Sequence, residues 1–372
     1  MKTTLSTVLR TIERHRFSVF IICLLLTLSS LYVNNPTRTK QMYDNFRGYV
    51  KFNSPTSNVF TADDPTPTVP QSCRPLNRFV FIKPEKTGGS TVSTLLHRFG
   101  MKNELVAAIQ SEGFVIKVDK ENHHLGILYY NCSDFPGYDY ICSHVKIYDR
   151  LALERVVPNA KYFTIVRSPY THLKSWFYFK MRNMNLSMSP DPFALYLNEM
   201  KENVMVNMKL KGETNSFCHR FDLDIHANET SSLEALHRLN RELDLVMIME
   251  YFDESLVLLK KAMCWDFEDI IYHPCKVHAE YQPPTTDEMR DIITQLSHAD
   301  IRLYDYFNKT FWRRVDNYDG DFKADLSKFR SMQDAARARC ERNQKNDFCF
   351  KLHSDVRDFK QLLYKKQLKW MC

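Results

Sequence analysis

Phe79–Phe99 reads FVFIKPEKTGGSTVSTLLHRF. Its first four residues are apolar and predict a buried strand over Phe79–Ile82. A loop of Lys, Gly, Ser and Thr follows, and the spacing from Ser90 to Phe99 predicts a helix. A strand, loop and helix of this composition form a cradle for a phosphate group. Backbone N–H groups at the helix start point at the anion, the helix dipole favours negative charge, and a Lys adds a full positive charge. The order of residues excludes the two common nucleotide motifs. A Walker A loop places its Lys directly after the second Gly and a Mg²⁺-holding Ser or Thr after that Lys. Here Lys86 precedes Gly88 and Gly89 and no second Lys follows, so a nucleotide kinase is unsupported. The G-x-G-x-x-G dinucleotide fingerprint is absent as well.

A second segment, Lys161–Lys180, reads KYFTIVRSPYTHLKSWFYFK. Tyr162–Val166 is aromatic and β-branched, which predicts a strand. Arg167 ends it, Pro169 breaks the pattern, and a helix is expected from about Tyr170. Ser175 then lies on that helix, eight positions after Arg167. Arg offers a bidentate fork for phosphate and Ser a hydroxyl donor. The run Lys86-Thr87-Gly88-Gly89-Ser90-Thr91 resembles the 5′-phosphosulfate loop of the sulfotransferases, which bind 3′-phosphoadenosine 5′-phosphosulfate. The resemblance implies that Lys86, Thr87, Gly88, Gly89, Ser90 and Thr91 hold the 5′ end of that co-substrate. It further implies that Arg167 and Ser175 hold its 3′-phosphate.

Two more stretches narrow the resemblance. Leu243–Asp269, LDLVMIMEYFDESLVLLKKAMCWDFED, and Tyr140–Tyr148, YICSHVKIY, are similar to segments of the galactose-3-O-sulfotransferases, the family that includes cerebroside sulfotransferase. The similarity spans most of residues 79–310 and fades after about Phe311. It implies transfer of a sulfuryl group to the 3-hydroxyl of a terminal galactose on a glycolipid or glycan, with no metal required. Two other readings compete: a uronic-acid 2-O-sulfotransferase acting on glycosaminoglycans, which shares the donor site and the His, and a catalytically inactive lumenal glycan-binding relative, which keeps the fold without donor binding. One departure stands out. That family usually carries His before the loop Lys, and this chain carries Glu85.

Sulfuryl transfer is an in-line displacement with the logic of phosphoryl transfer. The acceptor hydroxyl needs a base, and the leaving phosphate oxygen needs positive charge. Lys86 and the loop N–H groups suit the second task. Two residues suit the first. His144 ends an expected strand and titrates near neutrality in water. Glu85 stands beside Lys86, and the alternative for it is an ion pair with Lys83 or Lys86.

Four apolar segments read as strands: Phe79–Lys83, Tyr138–His144, Lys161–Arg167 and Leu243–Glu250. Helical patterns follow three of them, at Ser90–Phe99, Tyr170–Met181 and Phe252–Met263. Alternation of this kind predicts an α/β fold with a central parallel sheet covered by helices on both faces, and the resemblance implies that it is the P-loop-like sulfotransferase fold. Ligands of such sheets bind beyond the carboxyl ends of the strands. Lys86, His144, Arg167 and Glu250 all fall at those ends.

The N-terminus predicts a compartment. Phe17–Val33 is a 17-residue apolar run without charge, at the short end for a membrane span. Lys2, Arg10, Arg14 and Arg16 precede it, so residues 1–16 are expected in the cytosol and the bulk in the lumen. The run is longer than a usual signal-peptide core and no A-x-A site follows it, which favours an uncleaved signal-anchor. Residues 34–75 are rich in Asn, Pro, Thr, Ser and Asp and read as a stem, with the catalytic domain over 76–372. The expectation is a type II glycoprotein of the Golgi membrane, with a homodimer as a candidate assembly and no nucleic-acid partner. Sequons at Asn131, Asn185, Asn228 and Asn308 agree with a lumenal domain. So do nine cysteines beyond the span, several of which should pair in an oxidising compartment. Of the formal charges, 51 Lys and Arg against 44 Asp and Glu leave +7, which suits acidic ligands without requiring them.

Several other features have ordinary explanations. His97 is expected to pack or cap, and His123-His124 to lie on a loop. In His273-x-Cys275-x-x-His278 a disulfide at Cys275 is a better expectation than a metal. Most of Trp176–Phe179 should be core, with one ring available to stack on adenine or a sugar. The tail Asp321–Cys372 carries thirteen Lys and Arg against seven Asp and Glu and reads as helical with a solvated basic face.

Overall fold

A computed structural model describes residues 73–113, 115–181, 191–202, 214–274, 284–342 and 346–371. The expected cytosolic tail, anchor and most of the stem lie outside the described residues, as do Asn185, Cys275, His278 and Cys372. Among the described residues no helix is long and apolar enough to cross a membrane.

Five parallel strands form the central sheet: β1 (Phe79–Ile82), β2 (Val115–Ile116), β3 (Tyr140–Val145), β4 (Lys161–Val166) and β5 (Leu245–Ile248). They lie in the order β2-β3-β1-β4-β5. All four residues of β1 and all four of β5 are buried, the continuous apolar pattern of strands covered on both faces. The register sets Phe81 beside Cys142 on one side and Phe163 on the other. The chain leaves β1 for β3 on one flank and later reaches β4 on the other. The carboxyl end of β1 is therefore the point where the winding reverses, the place where such sheets open a ligand crevice.

The helices that position the site are α1 (Gly89–Lys102), α2 (Arg150–Val156), α3 (Pro169–Met181), α4 (Ser216–Arg220), α5 (Phe252–Met263), α6 (His298–Asp316), α7 (Phe322–Arg342) and α8 (Val356–Gln367). Expected and observed elements agree to within a few residues for the four long strands and for α1, α3 and α5. Two-residue β2 has no counterpart in the sequence reading. It pairs with β3 at His144 and Val145 and so finishes the sheet beside the site.

The tail is part of this unit rather than an appendage. Gln367 on α8 bonds both the N–H and the carbonyl of Ala107, each at 3.0 Å. Phe329, Cys340, Cys349, Phe359 and Leu363 are buried, so the basic residues occupy the outer face of amphipathic helices. Disulfides join Cys73 to Cys264 and Cys340 to Cys349, while Cys142 and Cys218 are buried thiols. Asn131 and Asn228 are exposed, but the Asn308 sequon lies inside α6 with Thr310 buried, a poor glycan acceptor in the folded chain.

Candidate active site

The loop between β1 and α1 is shaped by two left-handed residues, Lys86 at φ 59° and Gly88 at φ 75°. Gly88 is needed twice over. Its positive φ disfavours a side chain, and a Cβ there would stand 2.5 Å from Met249 Sδ. Thr87 is fully buried and donates from Oγ1 to the Pro84 carbonyl at 3.2 Å, which closes the turn. Gly88 is the N-cap of α1. It supplies no side-chain cap, and the first turn carries no acidic residue. A helix start of this kind suits an external anion.

β4 delivers Arg167 to the same place. Its Nη1 donates to the Lys86 carbonyl at 3.0 Å and its Nε to Thr171 Oγ1 at 3.0 Å. Thr171, Ser175 and Phe179 follow at successive four-residue steps along α3 and share one face of it. Arg167 touches the first of these. The Lys86 ammonium lies over the ring of the third, 4.4 Å from its centroid. Ser175 is thus bracketed between the two cations along one helix face. Of the aromatic run, Phe177 is core, whereas Phe179 is about half exposed.

Glu250, just past β5, clamps the β4 end. It accepts from the Ser168 N–H at 3.0 Å, from Thr171 Oγ1 at 3.2 Å and from the Tyr304 hydroxyl of α6 at 3.2 Å. This carboxylate is occupied in holding three elements together.

β3 brings His144 to the opposite flank of the loop. Its Nδ1 donates to the Lys83 carbonyl at 2.8 Å and lies 3.6 Å from Glu85 Oε1. Burial and the nearby Lys83 charge lower the imidazole pKa to about 4, although Glu85 pulls the other way. At neutral pH the ring is uncharged and able to accept a proton.

Glu85 is paired with Arg220, a partner that the alternative of an ion pair with Lys83 or Lys86 did not include. Burial opposes its ionisation, but the Arg220 guanidinium and His144 outweigh that and hold the carboxyl below its ordinary pKa. The Glu85 carbonyl accepts from His172 Nε2 at 2.9 Å. His172 is buried and its pKa falls to about 4, chiefly through burial. The Glu85 backbone is therefore fixed from α3 and its side chain from α4.

Arg220 is the residue sequence reasoning missed, with His172 and Thr171 beside it. Arg220 sits 135 positions from Glu85, on a five-residue helix with no periodic signal. Of the other histidines, His97 packs as expected, whereas His124 opens a two-residue strand rather than lying on a loop. His97 is buried against the Tyr140 hydroxyl at 3.1 Å, and His123, on a turn, pairs with the buried Asp149 at 2.7 Å. Among the described residues no group of three or more His, Cys, Asp or Glu is placed to hold a metal ion.

Lys86, Thr87, the N-terminus of α1, Arg167, Ser175, His144 and Glu85 are accordingly gathered at the carboxyl ends of three adjacent strands. The arrangement offers an anion cradle, two cations at separate points along it, and a neutral imidazole on its rim.

Comparison with known proteins bears on what fills the cradle. The family model described as galactose-3-O-sulfotransferase matches residues 12–370. The galactosylceramide sulfotransferase of Mus musculus is 28% identical over 277 residues, covering 71% of this chain and 64% of that protein. That of Bos taurus is 27% identical over 266 residues, covering 66% and 59%. Galactose-3-O-sulfotransferase 3 of Mus musculus is 29% identical over 271 residues, covering 66% and 61%. The chain therefore spans somewhat less than two thirds of the length of these curated relatives.

Proposed function

Because the chain belongs to the galactose-3-O-sulfotransferase family, we propose that it transfers a sulfuryl group from 3′-phosphoadenosine 5′-phosphosulfate to the 3-hydroxyl of a terminal galactose on a glycolipid or glycan. The observation that carries this reading is the single face of α3 on which Thr171, Ser175 and Phe179 succeed one another, with Arg167 bonded at one end and Lys86 resting on the other. Two cations held apart, one at a helix N-terminus, suit a co-substrate with phosphate at both its 5′ and 3′ ends.

Each residue then has a task. Lys86, Thr87, Gly88, Gly89, Ser90 and Thr91 hold the 5′ end, and Lys86 with the loop N–H groups stabilises charge growing on the leaving phosphate oxygen. Arg167 and Ser175 hold the 3′-phosphate. His144 takes the proton of the acceptor hydroxyl through Nε2, because its Nδ1 proton is committed to the Lys83 carbonyl. Glu85 is held as an anion by Arg220 and is poorly placed to act as base itself.

The same reading places the protein in the Golgi membrane, anchored by Phe17–Val33 with its catalytic domain in the lumen. The Cys73–Cys264 and Cys340–Cys349 disulfides fit an oxidising compartment.

The test is transfer of radiolabelled sulfate from the donor to galactosylceramide, a lactosyl glycan and heparan sulfate. Labelling of a galactoside at the 3-hydroxyl is the expected result. Labelling of heparan alone would replace the acceptor with a uronic acid, and labelling of none would sink the reading.

A further inference from the structure

Arg220 joins two pieces of the site that are far apart in sequence. One arm of its guanidinium donates to Glu85 Oε2 in the loop before α1. The other donates to the carbonyls of Val145 and Lys146, immediately after His144. Its side chain is only 11% exposed. The helix that carries it is rigidly held. Asp300, 2% exposed, accepts from the N–H groups of Phe217 at 3.1 Å and Cys218 at 2.9 Å. Asn215 accepts in return from the N–H groups of Ala299 at 3.0 Å and Asp300 at 3.1 Å. The Arg220 carbonyl takes the Tyr148 N–H at 2.7 Å. Such anchoring is more than a surface ion pair needs.

We propose that Arg220 is a positioning residue for sulfuryl transfer: it pins Glu85 as an anion at the Nδ1 edge of His144 and thereby sets how readily that imidazole accepts a proton. The inference rests on the reading of His144 as the base.

The charged groups facing His144 come from three elements: Lys83 at the end of β1, Glu85 in the loop, and Arg220 on α4. Lys83 and Arg220 disfavour the imidazolium, and Glu85 favours it. Glu85 in turn faces Arg220 and His144. Arg220 therefore acts on His144 twice. Its charge repels the imidazolium directly, and its grip keeps Glu85 Oε1 at 3.6 Å rather than in a hydrogen bond to Nδ1. Both effects favour the neutral ring and work against the pull of the Glu85 anion that Arg220 also maintains. Removing Arg220 relieves both, and removing the Glu85 charge does the opposite.

Deuterium exchange at the imidazole C2 of His144, followed by mass spectrometry across pH on the full-length protein, reads its titration without substrate. Arg220→Gln is expected to raise the His144 midpoint, and Glu85→Gln to lower it. Arg220→Lys keeps the charge but not the fork, so it should fall between wild type and Arg220→Gln. The acidic limb of kcat/KM should move with each midpoint. Should Arg220→Gln fail to fold, Glu85→Gln and Arg220→Lys carry the test. A His144 midpoint unmoved in the variants that fold, with only a lower melting temperature, would show that Arg220 merely braces the fold. Wild-type transfer of sulfate with His144 unmoved overturns this inference alone. Absence of any transfer overturns the functional reading beneath it.

Discussion

His144 donates from Nδ1 to the carbonyl oxygen of Lys83 at 2.8 Å, which assigns the ring's tautomer. A carbonyl can only accept, so Nδ1 carries the proton and Nε2 carries the lone pair. Asn at this position keeps an N–H close to where Nδ1 stood and has nothing in place of Nε2. His144→Asn should therefore fold normally and lose turnover by a factor of about 10² to 10⁴, the usual worth of a general base. Its affinity for adenosine 3′,5′-bisphosphate, measured by calorimetry, should stay close to wild type. Near-normal turnover would remove His144 from the mechanism.

Burial of histidines makes the fold acid-sensitive. His97 is lowered to about 3 and His172 to about 4, each chiefly by burial. The unfolded chain binds protons at these positions near the ordinary pKa of about 6.5 while the folded chain does not, so stability rises with pH across this interval. Acidification from pH 7 to pH 5 should cost on the order of 2 kcal/mol for each of the two groups. Asp300 opposes the trend, since burial raises its carboxyl to about 6 and it gains a proton more readily when folded. Denaturant midpoints measured at pH 7, 6 and 5 check the balance. His97→Phe removes one titrating group and should flatten the profile, whereas an unchanged slope would show that His97 does not contribute.

The loop before α1 is crowded at Gly88. Ala there meets a positive φ, which costs about 1 kcal/mol, and a Cβ 2.5 Å from Met249 Sδ. The thioether is flexible and can move aside, so Gly88→Ala should fold. The loop would shift, and affinity for adenosine 3′,5′-bisphosphate should fall roughly tenfold or more, equivalent to about 1.4 kcal/mol. Shortening the neighbour in Gly88→Ala/Met249→Ala relieves the clash but not the backbone strain, so it should restore only part of the affinity. Full recovery would mean that the clash alone matters.

What was legible in the chain follows from how far its signals reach. Phe79–Phe99 announces strand, loop and helix because its apolar run, its Gly turn and its helical spacing are local signals, although the strand's pairing with β3 and β4 is not. Arg167 and Ser175 are legible as neighbours because only a short turn separates the end of β4 from α3. His144 stands at a strand end that a local apolar run marks. Glu85 is different: its partner is through-space, and nothing in SFCHR distinguishes Arg220 from a surface arginine. The two residues of β2 are too few for alternation to register. Glu250 was placed at its strand end, but its role as a clamp depends on Thr171 and Tyr304, which only packing brings to it.

The Cys73–Cys264 bridge ties the start of the described domain to the end of α5 across 191 positions. Closing so long a loop restricts the unfolded chain, and its removal should cost about 2–4 kcal/mol. It lies at the amino end of the sheet side, where Leu76 N–H bonds the Met263 carbonyl at 2.9 Å and Trp265 Nε1 bonds the Leu76 carbonyl at 3.0 Å. Cys73→Ser/Cys264→Ser should therefore melt earlier while its KM for the sulfate donor stays near wild type below that temperature. A changed KM in the folded variant would couple this bridge to the site.

In the proposed reading Arg167 and Ser175 share the 3′-phosphate end of the donor, and the Lys86 loop takes the other. Arg167 also supports the Lys86 carbonyl at 3.0 Å, so Arg167→Ala disturbs both ends and should abolish measurable donor binding. Ser175 has no such second duty and sits one helical turn beyond Thr171. Losing one hydroxyl bond to a charged group costs about 1.5–3 kcal/mol, so Ser175→Ala should weaken adenosine 3′,5′-bisphosphate by roughly 10- to 150-fold. Adenosine 5′-phosphosulfate lacks the 3′-phosphate and gives the control. Its affinity, weak in wild type, should be unchanged by Ser175→Ala. If both ligands lose affinity equally, Ser175 shapes the helix rather than binding the 3′-phosphate. If neither loses affinity, the 3′-phosphate is held elsewhere along the face between Arg167 and Phe179.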